Sequence, residues 1–379
     1  MELLLGIITG LFILVLLVIA HELGHAIVAR RNGVVVEEFG IGLPPRAWKK
    51  KLKNKILFSL NWLPLGGFVK LQGESDAANK KGDYGAASFI GKTKILFAGV
   101  VVNWLIAAVL LTVLALVGLP KILPNQISIP GDTTIISQPV EIAGLTKDYP
   151  AAKAGLENGD NIIRFANQAV PTVDSLTSLI KQNKGKNVTV VYSRDGVEHS
   201  VVVNLKNDAT GEILGAGLGQ REVIKSTWSA PIVGIATTAQ FTWVTFQGLG
   251  DLISNLFTGL VFQLSPDNSI RNQASAELKT VSDSVAGPIG IIGVIFPAAQ
   301  QAGLIQLIFL TAIISLSLAV MNVLPIPALD GGRWFMLVLF RLLKKKLTQE
   351  REEKIQMIGF TVLMGLVILV TIADVTKLF

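Results

Sequence analysis

The sequence predicts a multi-pass α-helical membrane protein with about four transmembrane helices and one small α+β domain outside the membrane. Half of the 379 residues are hydrophobic and 16% are charged, whereas about 25% of residues are charged in a typical soluble domain. The hydrophobic residues are gathered into long runs, which is the pattern of membrane-spanning helices. Between the second and third runs, short strand-like segments alternate with turn residues.

Four hydrophobic runs are each long enough to cross a bilayer, because a helix rises about 1.5 Å per residue and the hydrocarbon layer is about 30 Å thick. The first run has no basic segment before it and continues directly into His21-Glu-Leu-Gly-His25. We therefore expect a retained first span and not a cleaved signal peptide. The four runs cover residues 3–29, 95–119, 304–324 and 355–372.

Lysine and arginine residues predict the orientation of these spans. The segment 30–94 and the short loop between the third and fourth spans are rich in both, so we expect both on the cytoplasmic side. The segment 120–300 is nearly balanced in charge and is expected outside, as are both chain ends. This topology accounts for the net charge of +7 without nucleic acid as a partner, because no aromatic-interleaved basic face is present.

Residues 136–206 are predicted to form the α+β domain. Ala151-Ala-Lys-Ala-Gly-Leu-Glu-Asn-Gly-Asp160, followed by Asn161-Ile-Ile-Arg164, resembles the short helix, Gly-Asp turn and strand of a PDZ domain. We expect one PDZ-like domain, with a peptide as a further partner. Strand-like runs cover 135–142, 161–165, 187–192 and 200–205, and a helix is expected at 173–183.

The segment 226–285 is predicted to lie on the outer membrane surface. Residues 228–262 are apolar but interrupted by Thr, Gln, Gly, Asp251 and Asn255, which favours an amphipathic surface helix over a fifth span. A fifth span would also put the two basic segments on opposite sides. Residues 264–285 are polar and are expected to form a loop.

A metal site is predicted in the first span. In His21-Glu-Leu-Gly-His25 the two histidines are one helical turn apart, so both imidazoles can reach one ion. Glu22 lies close enough to take a proton from the attacking water. Ionisable groups at this depth are unfavourable unless they pair or face a polar cavity, which favours a functional site over a chance match. Because the chain has no cysteine, a thiol ligand or nucleophile is excluded.

Asp330 is the candidate for a third ligand. It follows two prolines, Pro325 and Pro327, which break the helix between two apolar runs, and irregular backbone at that depth lines a cavity or is buried. His199 lies on a predicted strand of the PDZ-like domain and is interpreted as incidental. Glu2 and Asp374 lie near the chain ends, where a solvated carboxylate needs no partner.

These motifs resemble the site-2 protease family of intramembrane metalloproteases. One departure is Val100, because the similar family pattern has proline there. We therefore expect a straighter second span in which Asn103 keeps its polar contact. The matching motifs are HELGH, Asn322-x-x-Pro325-x-Pro327-x-Leu-Asp330-Gly331, Phe39-Gly-Ile-Gly42, Leu65-Gly-Gly-Phe-Val-Lys70, Gly287-Pro-Ile-Gly290 and Ala98-Gly-Val-Val-Val-Asn103.

The resemblance implies a zinc metalloendopeptidase in which His21, His25 and Asp330 hold one zinc ion and Glu22 is the general base. It implies transmembrane protein substrates cut within the lipid bilayer, as in the regulated intramembrane proteolysis of anti-sigma factors or signal-peptide remnants. It further implies a multi-pass protein of the bacterial cytoplasmic membrane, with the PDZ-like domain extracytoplasmic and gating substrate access. Ligand type alone leaves iron or cobalt open.

Substrate-binding residues are also implied. Asn322 matches a family asparagine that contacts substrate or steadies the oxyanion, although holding two helices together is an equal alternative. Residues 61–71, in which β-formers flank a Gly-Gly pair, match a membrane re-entrant β-hairpin that receives the substrate as an added strand. A soluble cytoplasmic hairpin is the alternative. The implied contacts on this hairpin are Gly66, Gly67, Phe68 and Val69.

The chain is thus expected to contain four parts. Residues 1–119 and 286–379 form the two halves of the catalytic membrane core, separated by the PDZ-like domain 136–206 and the surface segment 226–285. A membrane metal carrier or transporter would also place His and Asp in a span, but it predicts repeated halves, which are not visible in the sequence. A non-catalytic scaffold using its PDZ-like domain would not need HELGH together with Asp330.

Overall fold

The computed structural model describes residues 2–194, 196–207 and 213–378. Residues 1, 195 and 379, which fall within predicted parts of the chain, lie outside the described residues. The chain forms two compact units, a helical unit (1–113 with 234–379) and a sheet unit (114–233). The first elements are α1 (Glu2–Arg31), β1 (Val36–Lys51), β2 (Leu57–Leu71) and α2 (Phe89–Val117).

Strands β1 and β2 form a folded-over hairpin. Residues 38–41 of β1 pair with residues 67–70 on one side and with residues 57–60 on the other, because both strands bend. The turn that joins the strands falls at residues 52–56, while Gly66 supplies a bend in β2 with a φ of +85° that favours glycine. Residues 67–71 therefore form one edge of this sheet, next to α1.

The elements of the sheet unit are β3 (Leu119–Pro120), β4 (Thr134–Leu145), α3 (Pro150–Lys153), β5 (Asn161–Phe165), β6 (Gln168–Ala169), α4 (Val173–Gln182), β7 (Asn187–Arg194), β8 (Val197–Asn204) and β9 (Ala216–Lys225). In the described part of the unit these strands form a seven-stranded sheet with strand order β3-β9-β4-β5-β7-β8, and β6 pairs with β5. Strand β9 lies beyond residue 206, so the sheet continues past the predicted domain boundary.

The core of the sheet unit follows from alternation along its strands. Val188 and Val190 of β7 point to the buried face, and Leu176 and Leu179 of α4 cover that face one helical turn apart. Helix α4 begins at a capping box in which Thr172 and Ser175 exchange side-chain and backbone hydrogen bonds. The predicted helix at 173–183 is confirmed.

The segment after β9 is helical over most of its length. Helices α5 (Ala230–Phe262) and α6 (Asn268–Ser284) follow each other. The expectation of a loop at 264–285 is therefore wrong. The run Ala274-Ser-Ala-Glu-Leu-Lys279 consists mostly of strong helix formers, and it is polar because one face of α6 is exposed. Next come α7 (Pro288–Gly290), a π-helical turn (Ile291–Ile295) and α8 (Phe296–Gln301).

The chain ends with α9 (Leu304–Val323), α10 (Asp330–Leu342) and α11 (Gln349–Leu378). In the described part of the chain, four helices are long and apolar enough to cross a membrane, namely α1, α2, α9 and α11. The four predicted spans are thus confirmed as candidate spans. Helix α2 begins at Phe89, six residues before the predicted start of the second span. The helix continues through Val100 without a break.

Asp374 of α11 is not a solvated carboxylate as expected. It is 4% exposed, and it accepts hydrogen bonds from the backbone N–H groups of Gly287 at 3.0 Å and Gly290 at 2.8 Å. These N–H groups belong to the first turn of α7, where a helix has no partners of its own. Asp374 therefore caps α7 from another helix, and the Gly-Pro-Ile-Gly motif provides the space for it.

Candidate metal centre

Helix α1 brings His21 and His25 together. The two side chains are one turn apart on the same face, and each residue is 8% exposed. Their Nε2 atoms lie 3.1 Å apart. The rings meet edge to face, at an angle of 75°, so the two nitrogens point towards a common position.

Asp330 completes the group from the other half of the helical unit. After α9 ends at Val323, Pro325 and Pro327 prevent the helix from continuing, and Ala328 turns the chain with a φ of +80°. Asp330 is the first residue of α10, and its Oδ2 atom lies 3.2 Å from Nε2 of each histidine. The structure thus joins the two predicted histidine ligands of α1 to a predicted third ligand that lies some three hundred residues further along the sequence.

Hydrogen bonds behind the histidines orient their rings. Nδ1 of His25 donates to the backbone carbonyl of Ile95 at 2.8 Å, which leaves the lone pair of Nε2 directed at the cluster. Nδ1 of His21 faces the side-chain amide of Asn103 at 3.4 Å. Both contacts come from α2, and the expected polar contact of Asn103 is confirmed.

The donor atoms fit a zinc ion. They form a triangle with sides of 3.1, 3.2 and 3.2 Å, and tetrahedral ligands at the usual zinc distances lie about 3.3 Å apart. Among the described residues, no donor hydrogen-bonds to Asp330 Oδ2 although the atom is buried. Three electron-rich atoms this close repel one another unless a cation lies between them, and two imidazoles with one carboxylate are typical zinc ligands.

Small residues allow α2 to approach this site. A Cβ atom on Gly24 would lie 2.8 Å from the backbone oxygen of Ala98, so the two helices touch through their backbones at this point. A Cβ atom on Gly99 would lie 2.5 Å from both His21 Cε1 and His25 Nε2. Gly99 was not predicted as a site residue, because only its position opposite the imidazoles reveals its role.

Glu22 lies between the cluster and the edge of β2. Its Cγ atom would be 3.5 Å from a Cβ on Gly67, and its carboxylate interacts with the backbone N–H of Val69. Phe68 covers Gly40 of β1, where a Cβ atom would meet its ring at 2.3 Å. Of the predicted substrate-binding residues, Gly67 and Val69 therefore adjoin Glu22, whereas Gly66 and Phe68 have their contacts within the sheet.

A cavity of about 110 Å³ adjoins the cluster, with Glu22, His25, Asp330, Tyr84 and Arg333 in its lining. Tyr84 is fully buried. Among the described residues its hydroxyl has no hydrogen-bond partner. The guanidinium of Arg333 lies over the Tyr84 ring, 4.6 Å from its centre. Neither residue was predicted, because no local pattern marks them.

Two further residues make local contacts. Asn322 donates through Nδ2 to the carbonyl of Leu318 in its own helix, at 2.9 Å. His199 lies on β8, where its ring stacks on Tyr192 with a centroid distance of 5.4 Å.

Comparison with known proteins identifies the class. Peptidase family M50, the site-2 protease family, matches residues 9–366, and the chain therefore belongs to that family. A Clostridium perfringens protein with a provisional zinc-metalloprotease name is 30% identical over 359 residues, which cover 95% of each chain. The zinc metalloprotease RasP of Geobacillus kaustophilus is 26% identical over 443 residues, covering 96% of each chain.

The protein is accordingly a zinc-dependent metallopeptidase of the site-2 type and a membrane protein. A solved PDZ domain of an SdrC-like protein from Listeria monocytogenes matches 24% of this chain and 87% of that domain, with 21% identity and a TM-score of 0.18. A score this low supports no conclusion about the sheet unit.

Proposed function

We propose that this protein hydrolyses peptide bonds within or near the transmembrane segments of membrane-protein substrates, with His21, His25 and Asp330 as metal ligands and Glu22 as general base. The observation that carries the proposal is the triangle of ligand atoms, two of whose corners stand on α1, a helix apolar enough to span a membrane. Ionisable groups in a span are unfavourable unless they serve a site.

The chemistry divides between the metal and Glu22. Zinc, when held by these ligands, supplies Lewis acidity that polarises a peptide carbonyl and lowers the pKa of water. Glu22 takes a proton from the attacking water and returns it to the leaving amine nitrogen. Glu22 follows His21 in sequence, and its carboxylate interacts with the backbone N–H of Val69. One side of Glu22 therefore adjoins the metal cluster and the other side adjoins β2.

The free edge of β2 is the proposed substrate-binding element. An intact helix hides its peptide bonds in its own hydrogen-bond ladder, so the substrate must unwind before it is cut. Residues 67–71 pair with β1 on one side, and their other edge lies beside Glu22. An extended substrate segment added to that edge would bring a carbonyl to the metal cluster. We propose that this sheet is membrane re-entrant and that Asn322 contacts the substrate or the oxyanion.

Contacts between the two basic segments support a common cytoplasmic side. The backbone N–H of Asp76 donates to Glu352 at 2.8 Å, and Arg333 donates to the same carboxylate at 3.2 Å. We further propose a bacterial cytoplasmic membrane location, with the sheet unit outside as a PDZ-like peptide-binding domain that gates access. In a chain without cysteine, Lys184→Cys should react with an impermeant maleimide in intact cells, and Lys53→Cys only after lysis. The reverse result would overturn the orientation.

The catalytic assignment is tested with Glu22→Gln. The purified variant should keep stoichiometric zinc and lose cleavage of a membrane-embedded substrate, since the amide cannot accept the proton. Glu2→Gln, the same change at the far end of α1, is the matched control and should cleave normally. Full activity in Glu22→Gln would show that Glu22 is not the base.

The ligand assignment needs metal analysis. We expect Asp330→Ala and His21→Ala to bind zinc far more weakly than the wild type, because two ligands do not replace three. His199→Ala removes the third histidine of the chain and should retain zinc fully. Normal zinc content in Asp330→Ala would remove that residue from the site.

A further inference from the structure

Asn103 is a buried polar residue next to the proposed metal cluster. It lies on α2, is 1% exposed, and directs its amide nitrogen at Nδ1 of His21 from 3.4 Å. Among the described residues, nothing hydrogen-bonds to its amide oxygen, although that oxygen is buried. A buried carbonyl oxygen without a partner is unusual in a native protein.

The hydrogen positions at this contact conflict. Nε2 of His21 points at His25 Nε2 and Asp330 Oδ2, so its lone pair must face the metal position. In a neutral imidazole the proton then sits on Nδ1, which becomes a donor. The amide nitrogen of Asn103 is also a donor, so two donors face each other. Rotating the amide by 180° exchanges two atoms of nearly equal size and presents the oxygen instead.

We propose that Asn103 is a positioning residue that accepts a hydrogen bond from His21 Nδ1 through its amide oxygen and thereby holds His21 in its metal-binding tautomer. A 180° rotation of the Asn103 amide places its oxygen opposite His21 Nδ1. The oxygen then has a donor, and the proton on Nδ1 has an acceptor. His25 already has the same arrangement with the carbonyl of Ile95 at 2.8 Å. Helix α2 would then set the tautomer of both histidines. It would act on His25 through the backbone carbonyl of Ile95 and on His21 through the side chain of Asn103.

A second contact holds Asn103 in position. The hydroxyl of Ser315, a fully buried residue of α9, donates to the backbone carbonyl of Asn103 at 2.8 Å. Helix α9 leads through the proline-containing turn to Asp330. Asn103, which orients His21, is therefore hydrogen-bonded to α9, the helix that precedes Asp330. The positions of His21 and Asp330 are thus coupled through α2 and α9.

This inference rests on the proposed role of His21 as a metal ligand. The experiment distinguishes a failure of the Asn103 inference from a failure of the His21 assignment. Zinc affinity of the purified full-length protein is measured by chelator competition for wild type, Asn103→Asp, Asn103→Leu and His21→Ala. Asn103→Asp keeps the acceptor and removes the amide donor, whereas Asn103→Leu keeps the approximate size and removes both. Thr112→Val is the matched control, because within the described part of the chain its hydroxyl bonds to its own helix, at the carbonyl of Ala108.

We expect Asn103→Leu to bind zinc about 10–100-fold more weakly, the usual effect of removing a partner of a metal-bound histidine. Asn103→Asp and Thr112→Val should stay close to wild type. Equal losses in Asn103→Asp and Asn103→Leu would show that the amide acts as a donor, and wild-type affinity in Asn103→Leu would show that it does not position His21. Either result overturns the inference. Unchanged zinc affinity in His21→Ala would instead overturn the proposed ligand.

A spectroscopic measurement on the wild type covers the case in which Asn103→Leu misfolds. The chain contains three histidines, so ring-nitrogen NMR signals of ¹⁵N-histidine-labelled protein can be assigned with His25→Ala and His199→Ala. Metal-free wild type should show the proton of His21 on Nδ1. A proton found mainly on Nε2 would overturn the inference without any change at Asn103.

Discussion

A Cβ atom on Gly99 would lie 2.5 Å from Nε2 of His25, the atom that points at the proposed metal position. Non-bonded heavy atoms rest about 3.5–4.0 Å apart, so the imidazole would have to retreat by about 1 Å. Gly99 is therefore what allows α2 to pass directly behind both histidines, and the hydrogen bond from His25 to Ile95 depends on that close approach.

The first prediction follows from this contact. Gly99→Ala should weaken zinc binding by at least about 10-fold, because metal ligands tolerate displacements of only about 0.5 Å. The measurement is zinc affinity by chelator competition, together with the thermal midpoint of the metal-free protein.

The matched control is Gly365→Ala. This glycine lies in α11, where an added Cβ meets nothing within 4 Å. Alanine has the higher helix propensity, so the control should bind zinc normally and be at least as stable as wild type. Normal zinc affinity in Gly99→Ala would mean that the helices separate without disturbing the ligands.

The four long apolar helices were predictable, because bilayer thickness imposes long apolar runs that a sequence displays directly. The expected loop at 264–285 was wrong because polarity was taken as a loop signal, whereas helix propensity decides the conformation of α6. Strand β9 was missed because Gly215, Gly217 and Gly219 suggest turns. Its pairing with β4 comes from distant residues, and such pairing leaves no local pattern.

The metal cluster was predictable for a different reason. The spacing of His21 and His25 encodes a shared helix face, and the prolines before Asp330 mark a broken helix. Gly99 and Tyr84 could not be found in this way. Each acts by packing against residues more than fifty positions away, and only the assembled helical unit reveals what they contact.

A second prediction concerns the cap that Asp374 provides to α7. Asp374→Leu leaves two backbone N–H groups, those of Gly287 and Gly290, without their acceptor. Each buried N–H without a partner costs about 1–3 kcal/mol. Unfolding in mixed detergent micelles should show the loss, and Asp374→Asn should lose less because one acceptor remains.

The control for this comparison is Thr371→Val. Thr371 lies one turn before Asp374, and the hydrogen bond of its hydroxyl in the described structure goes to the carbonyl of Val367 in its own helix, at 2.7 Å. It should unfold like the wild type. If Asp374→Leu were as stable as Thr371→Val, the hydrogen bonds to α7 would contribute nothing measurable.

A third prediction concerns acid sensitivity of the sheet unit. Burial alone would raise the pKa of Asp160, but hydrogen bonds from Arg194 and from the backbone N–H of Glu157 outweigh it and lower that pKa. A depressed pKa in the folded state contributes stability above the unfolded value of about 3.9, and this contribution is lost as the pH falls through the folded value.

The test is amide hydrogen exchange of the strands of the sheet unit in the full-length protein. Between about pH 5 and the depressed pKa of folded Asp160, wild-type protection factors should fall, because the unfolded chain takes up a proton at this carboxyl while the bonds from Arg194 keep the folded form ionised. Asp160→Asn should be less protected at neutral pH and should change less over that interval. Parallel pH curves for the two proteins would show that another group controls the acid response.

The last prediction concerns the hydroxyl of Tyr84, which is buried beside the metal cluster. Burial raises the pKa of this hydroxyl, so it remains a protonated donor at neutral pH. Among the described residues it has no acceptor, and an unpaired buried donor is destabilising by about 1–3 kcal/mol. Tyr84→Phe removes the hydroxyl and keeps the ring beneath Arg333. Its thermal midpoint should therefore equal or exceed that of wild type.

Tyr84→Leu provides the contrast, because it removes the ring as well. The guanidinium of Arg333 would lose the aromatic face 4.6 Å away, and a gap would open beside the cavity that contains Glu22. Removing a large buried side chain costs about 2–5 kcal/mol, so this variant should unfold at a clearly lower temperature. A lower midpoint for Tyr84→Phe as well would mean that the hydroxyl already has a partner in the resting protein, since only the loss of a formed hydrogen bond makes that substitution destabilising.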